Sequence, residues 1–192
     1  VELSRLDDPY LAHQPEAHDA VGRDLWLLDV TSDLGIPVIV GVSVSRDEPS
    51  DLALGFGCAG SVVDAARGAL LELAQVLAIR AASPTPAPVF DDVAGVLASP
   101  EVVRLLHPTP GAIPAGTSVR GRPLEKLGDV LDRLREAQID VWVVDQTDPH
   151  LGIPVVRVIA PGMAHLWRRL GARRMAEVLP LGKALNPFSL VL

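Results

Sequence analysis

Asp64, Gly68, Glu72 and Gln75 recur at offsets of four, four and three in SVVDAARGALLELAQ, a spacing that puts all four on one face of an α-helix. Glu72 followed three residues later by Gln75 offers a carboxylate and a carboxamide one helical turn apart. Oxygen donors so placed can share a magnesium ion with phosphate, because magnesium takes hard oxygen ligands and leaves part of its shell to water and phosphate. Upstream, Gly55-Phe56-Gly57-Cys58-Ala59-Gly60 reads as a glycine-rich loop feeding the helix N-terminus, where backbone N–H groups can meet an anion. By residue type alone, Glu and Gln on a helix face are solvated positions first and ligands second.

Other chemistry-bearing residues form no such pattern. His13, His18, His107, His150 and His165 lack metal-ligand spacing and are expected as scattered surface histidines. Asp7-Asp8 and Asp91-Asp92 fit loop and helix-start charges better than a catalytic carboxylate pair. The single Cys58 excludes an intramolecular disulfide and any multi-cysteine metal site; as a small residue it is expected to be buried rather than reactive. No Ser/His/Asp signature is present in motif form. A net charge of −7 gives no footprint for nucleic acid, and Arg168, Arg169, Arg173 and Arg174 fit the solvated stripe of a helix.

These residues need a folded scaffold, and the composition supplies one. With 48% hydrophobic residues in 192, the chain has enough apolar material for one sizeable core or two intimate halves. No apolar run reaches membrane-spanning length and no signal pattern opens the chain, so a cytoplasmic protein without membrane partners is expected. Residues 1–20 read as an irregular lead-in with room for one short helix. Leu25 to Val30 and Ile36 to Val44 are strand-forming runs around Ser32-Asp33-Leu34-Gly35, hence a hairpin. Val62, Ala66, Ala69, Leu70, Leu73, Val76 and Leu77 trace the apolar stripe of a helix over 61–82, with Ser61 and Asp64 as a capping pair.

A Pro/Gly-rich insert spans 83–122. A helix over 123–138 follows, with Leu124, Leu127, Leu131 and Leu134 toward the core. Val141 to Asp145 and Ile153 to Ile159 make another strand–turn–strand, and a basic amphipathic helix is expected over 163–179. The fold class this order predicts is α+β: helices packed on antiparallel or mixed sheet, with an internally repeated β-hairpin/helix unit. The repeat is visible in DLWLLDVTSDLGIPV from Asp24 and DVWVVDQTDPHLGIPV from Asp140. Its Gly35/Gly152 and Pro37/Pro154 predict shared backbone geometry, and its Asp and Thr are expected to stabilise the turns.

Leu-x-Asp-x-Thr-x-Asp-Leu-Gly-Ile-Pro-Val, the Gly55–Ala59 string, and Ala65-Ala66-Arg67-Gly68-Ala69-Leu70-Leu71-Glu72-Leu73-Ala74-Gln75 occur in that order. With Val144-Asp145-Gln146-Thr147, Ile153 to Val158 and Pro161-Gly162, they resemble the YcaO family, specifically the second half of its domain, over roughly residues 20–192. The resemblance implies a half-domain over 21–192 in an ATP- and magnesium-dependent enzyme that activates backbone amides of ribosomally made peptides. A nucleophile adds to the amide carbonyl, the oxygen is phosphorylated, and loss of phosphate leaves an azoline, thioamide or amidine. It makes Glu72 and Gln75 the leading cofactor-binding candidates, with Asp64 and Arg67 behind them and Glu72 as the metal ligand; no catalytic residue is assigned. It also implies a precursor peptide as partner, a bacteriocin-like natural product as outcome, and an oligomer.

The chain departs from the family pattern in four places. The Ser-x-x-x-Glu-x-x-Glu-Arg-like elements of the first half are missing, Gly68 stands where Arg is common, and Leu77 stands where an Arg is expected two residues after Gln75. The tail Leu185 to Leu192 holds one proline in place of Pro-x-Pro-x-Pro, which counts against azoline formation and leaves thioamide or amidine chemistry open. Three expectations follow: a fragment beginning at Val1, a split subunit completed by a complementary YcaO half with a TfuA-like or leader-binding partner, or a degenerate homologue. The last is a non-catalytic scaffold that binds a precursor peptide or partner enzyme.

Overall fold

Glycines set the spacing at the centre of this fold. In the computed structural model the described residues are 1, 3, 6–48, 51–82, 106, 124–161 and 163. They divide into two units, Val1–Lys126 and Leu127–Leu192.

The first unit holds helix α1 (Pro9–Asp19), strands β1 (Arg23–Asp29), β2 (Val38–Ser45) and β3 (Leu52–Cys58), and helix α2 (Val62–Ala82). The strands form an antiparallel meander in the order β1-β2-β3, with Trp26 opposite Val42 and Val42 opposite Leu54. The central strand β2 is buried on both faces. One side joins Leu27, Ile39, Ala53 and the α2 residues Ala65, Ala66, Ala69, Leu70 and Leu73; the other joins Val40, Val42, Val44 and Leu52. Trp26 closes part of that second side, its Nε1 donating to the Leu106 carbonyl at 2.6 Å.

The segment expected as a glycine-rich loop is largely strand: Gly55 to Cys58 belong to β3. The glycines are there for helix packing. A Cβ on Gly55 would lie 2.2 Å from the Ala69 carbonyl oxygen, and one on Gly57 would lie 1.9 Å from that of Ala65, so α2 rests directly on the β3 backbone. At the start of α2, Ser61 Oγ accepts Asp64 N–H at 3.1 Å, the cap its spacing predicts.

Residues 1–20 are more ordered than a lead-in. Asp8 caps α1 by accepting Leu11 N–H at 3.0 Å, Pro9 takes the first turn, and Leu11 and Leu3 enter the core. His18, expected at the surface, is buried in the last turn of α1. A polar sequence with little amphipathic contrast hides this burial, because only a few residues of α1 reach the core.

The second unit holds α3 (Leu127–Glu136) and the two-stranded antiparallel sheet β4 (Trp142–Asp145) and β5 (Val156–Ile159), with Trp142 opposite Ile159. Helix α3 begins later than expected and ends at Glu136; just beyond it Gln138, with φ of 55°, lets Ile139 N–H return to the Leu134 carbonyl at 2.8 Å. Leu134 is buried, Leu131 half-buried and Leu127 exposed, so the apolar stripe of α3 is shorter than the leucine spacing suggests.

The two hairpins use their Asp and Thr alike. Asp29 Oδ1 accepts Thr31 N–H at 2.9 Å and Thr31 Oγ1 accepts Val38 N–H at 3.1 Å. Asp145 accepts Thr147 N–H and Thr147 accepts Val155 N–H at the same two distances. Gly35 and Gly152 have φ of 65° and 62°. The helix expected over 163–179, the insert over 83–122 apart from Leu106, Pro123, the basic arginine cluster and the tail lie outside the described residues.

Candidate functional site

Helix α2 lies between α1 on one flank and the outer edge of β3 on the other, and its polar side chains divide accordingly. Glu72 is exposed and leans over the β3 edge, where its Oε2 accepts Phe56 N–H at 2.8 Å. That bond orients the carboxylate and leaves its other oxygen open. Gln75, one turn on, is exposed, and its side chain makes no hydrogen bond to a described residue. Glu72 and Gln75 thus present oxygen donors outward from one stretch of rigid helix.

Asp64 and Arg67 are engaged elsewhere. The Asp64 carboxylate takes the Ser61 hydroxyl at 2.7 Å and belongs to the α2 cap. Arg67 sits five residues before Glu72, about 140° away around the helix at 100° per residue, and pairs with the buried carboxylate of Asp8. Arg67, together with the Leu11 N–H, holds the Asp8 carboxyl below its ordinary range, and the same pairing raises the Arg67 pKa. Arg67 is thereby a tie between α1 and α2, with half its side chain in solvent. Sequence inspection missed this pair, because Asp8 and Arg67 are separated by a whole meander and no local spacing links them.

Gly68, where the family pattern favours Arg, is no packing requirement: a Cβ there would meet Gly57 Cα at 3.5 Å, an ordinary contact. Cys58, expected to be buried, is exposed at the end of β3, and partial desolvation still pushes its thiol pKa up, away from an activated thiolate. Among the described residues no group of three or more His, Cys, Asp or Glu side chains could hold a metal. One carboxylate and one carboxamide do not make a protein-only metal cage; donors of this kind hold magnesium only where phosphate or water fills the rest of its shell. Two clefts, one bounded by Pro15, Asp19, Arg23 and Arg46 and the other by Leu131, Gln138 and Val143, include none of these α2 residues. Glu72 and Gln75 stand on an open face.

A second cluster is structural. Arg23 is nearly buried, donating from Nε to Ser43 Oγ at 2.8 Å and from Nη2 to the Asp51 carbonyl at 2.8 Å, and pairing with the Asp51 carboxylate. Arg80 at the end of α2 reaches the same Asp51 at 3.3 Å and the Leu52 carbonyl at 2.6 Å. Together they fasten the ends of β1, β3 and α2. No helix among the described residues is long and apolar enough to cross a membrane.

Against known proteins, the family model described as YcaO cyclodehydratase, ATP- and Mg2+-binding, matches residues 1–164. The match includes residues 1–20 and stops before the tail. A solved heterocyclase in complex with substrate and cofactor is similar at 29% identity and a TM-score of 0.78, over 95% of this chain and 25% of that one. The heterocyclase TruD is similar at 30% identity and a TM-score of 0.67, over 85% of this chain and 23% of that one. The chain thus spans about a quarter of the length of these solved relatives. No curated protein matches it.

Proposed function

The chain belongs to the YcaO family, and from that premise we propose that it is a component of an ATP- and magnesium-dependent enzyme activating backbone amides of a ribosomally made precursor peptide. The observation that carries this reading is the outward pair on α2: Glu72 oriented by Phe56 N–H, with Gln75 one turn away. Bound ATP and magnesium would supply the phosphoryl group that turns an amide oxygen into a leaving group. Glu72 would hold the cation together with phosphate oxygens, and Gln75 would orient phosphate or water through its carboxamide. Asp64 would act through the helix cap, which aims the first N–H groups of α2, and Arg67 through the α1 contact. The heterocyclase relatives support the azoline branch of this chemistry, with thioamide and amidine formation as its other branches.

An open helix face with one carboxylate is an incomplete nucleotide site, so the reading includes further polypeptide that completes it, in cis or as a partner subunit, in the cytoplasm. A second reading is a scaffold that binds a precursor peptide without catalysis, favoured by Gly68 and by the engagement of Asp64 and Arg67. Isothermal titration of ATP–magnesium into this chain, alone and with a candidate partner, separates the two. Heat of binding that disappears in Glu72→Ala supports the enzyme. No binding under either condition sinks it, and binding untouched by Glu72→Ala removes Glu72 from the site.

A further inference from the structure

Among the described residues β3 is an edge strand, and the direction of its backbone groups follows from its pairing with β2. Ser45 N–H meets the Asp51 carbonyl at 3.1 Å at one end and Ala59 N–H meets the Pro37 carbonyl at 3.2 Å at the other. The register between them, from Ser43 opposite Ala53 to Ile39 opposite Gly57, keeps that phase. Odd-numbered residues of β3 therefore face β2, and the N–H and C=O groups of Leu52, Leu54, Phe56 and Cys58 point away from the sheet. Side chains of α2 take two of these outward groups. Arg80 donates to the Leu52 carbonyl at 2.6 Å, and Glu72 accepts Phe56 N–H at 2.8 Å. The Leu54 N–H and C=O, the Phe56 C=O and the Cys58 N–H have no partner among the described residues. The Phe56 side chain beside them is 44% exposed.

A row of open donors and acceptors on an edge strand is complementary to another extended backbone. Its location selects which one. The row is continuous with the N–H that orients Glu72, the candidate cation ligand, and a chemistry performed on a backbone amide needs that amide held beside the phosphate site. A backbone laid along β3 passes that carboxylate.

Resting on the function proposed above, we propose that the free edge of β3, centred on Leu54 and Phe56, binds a segment of the substrate peptide as an added β-strand. A peptide residue opposite Leu54 exchanges both main-chain hydrogen bonds with it. Successive peptide side chains fall alternately on the Phe56 face, which suits an apolar group, and on the α2 face. Main-chain pairing of this kind tolerates many sequences.

Amide hydrogen exchange on the full chain, read by NMR at single residues, tests this without nucleotide. The probes are a capped hexapeptide of alternating Thr and Val at millimolar concentration, and the same peptide N-methylated at every residue. The unmethylated peptide is expected to slow exchange severalfold at Leu54 and Cys58 and leave Gly55 and Gly57, which already bond to β2, unchanged. The methylated peptide is expected to protect neither. No slowing, or equal slowing by both peptides, overturns the proposal. So does protection that grows with protein concentration in the absence of peptide, since the edge would then pair with a second copy. Loss of this protection alongside intact ATP–magnesium binding removes the edge and leaves the enzyme reading standing. Protection without nucleotide binding leaves the edge and removes that reading.

Discussion

The Asp8 carboxylate holds two elements at once: one oxygen caps α1 through Leu11, and the other pairs with Arg67 on α2. Its folded pKa is depressed below the ordinary 3.8, chiefly by Arg67 and then by the Leu11 N–H. Stability from this group is therefore present above about pH 4 and is lost as pH falls through the lower folded value. Asp8→Asn, which keeps a capping oxygen and loses the charge, is expected to flatten that acid limb; Asp8→Ala should lower Tm further than Asp8→Asn, since it also removes the cap. Thermal melts of the three proteins between about pH 5 and pH 3 check both points. His18 acts at higher pH. Its Nδ1 is 3.0 Å from the Gln14 carbonyl, its buried Nε2 has no hydrogen-bond partner among the described residues, and burial pushes its pKa below the ordinary 6.5. The unfolded chain takes up a proton there before the folded one does. Stability is thus full above about pH 7 and falls as pH drops toward the folded pKa. Urea unfolding of wild type and His18→Gln across that window should show a slope in the first that is reduced in the second.

At the scale of elements, two glycines eleven residues apart have opposite roles. Gly57→Ala would put a Cβ against backbone atoms of α2, at 1.9 Å from the Ala65 oxygen and 2.5 Å from the Ala69 nitrogen, and neither can move without the helix. It is expected to cost about 3 kcal/mol or more. Gly68→Ala meets only an ordinary 3.5 Å contact and removes a helix-interior glycine, so it should stabilise the protein by roughly 0.5–1 kcal/mol. Denaturant midpoints of the two variants against wild type decide both signs. The same glycines show why β3 was the element hardest to read. Gly55, Gly57 and Gly60 within six residues favour a loop by local propensity, and the reason they sit in a strand lies in α2, which must approach the backbone. By contrast, α2 and the hairpins were legible locally. Helical spacing marked Leu70 and Leu73, and the Gly and Pro of the turns marked where each hairpin reverses, with Thr31 and Thr147 bonding across it.

For the whole molecule, the chain spans a quarter of its solved relatives and contributes one oriented carboxylate on an open face. Its second unit leaves Trp142, Val143 and Val158 each more than 60% exposed on a two-stranded sheet, more apolar surface than so small a sheet ordinarily leaves in water. On the function proposed above, in which further polypeptide completes the nucleotide site, the chain alone is expected to bind ATP–magnesium weakly. Adding the remaining polypeptide of such an enzyme should tighten the apparent affinity at least about tenfold, a change of roughly 1.4 kcal/mol, as equilibrium dialysis would measure. The sequence by itself determined what depends on order and local spacing: the α+β class, the family, the hairpin turns, and the helix carrying Glu72 and Gln75. Only the tertiary structure decided the partners of those residues. Phe56 N–H for Glu72, Asp8 for Arg67, the glycines of β3 beneath α2 and the burial of His18 all join residues with no local register between them. Such contacts are set by which surfaces pack together, and periodicity along the chain carries no record of them.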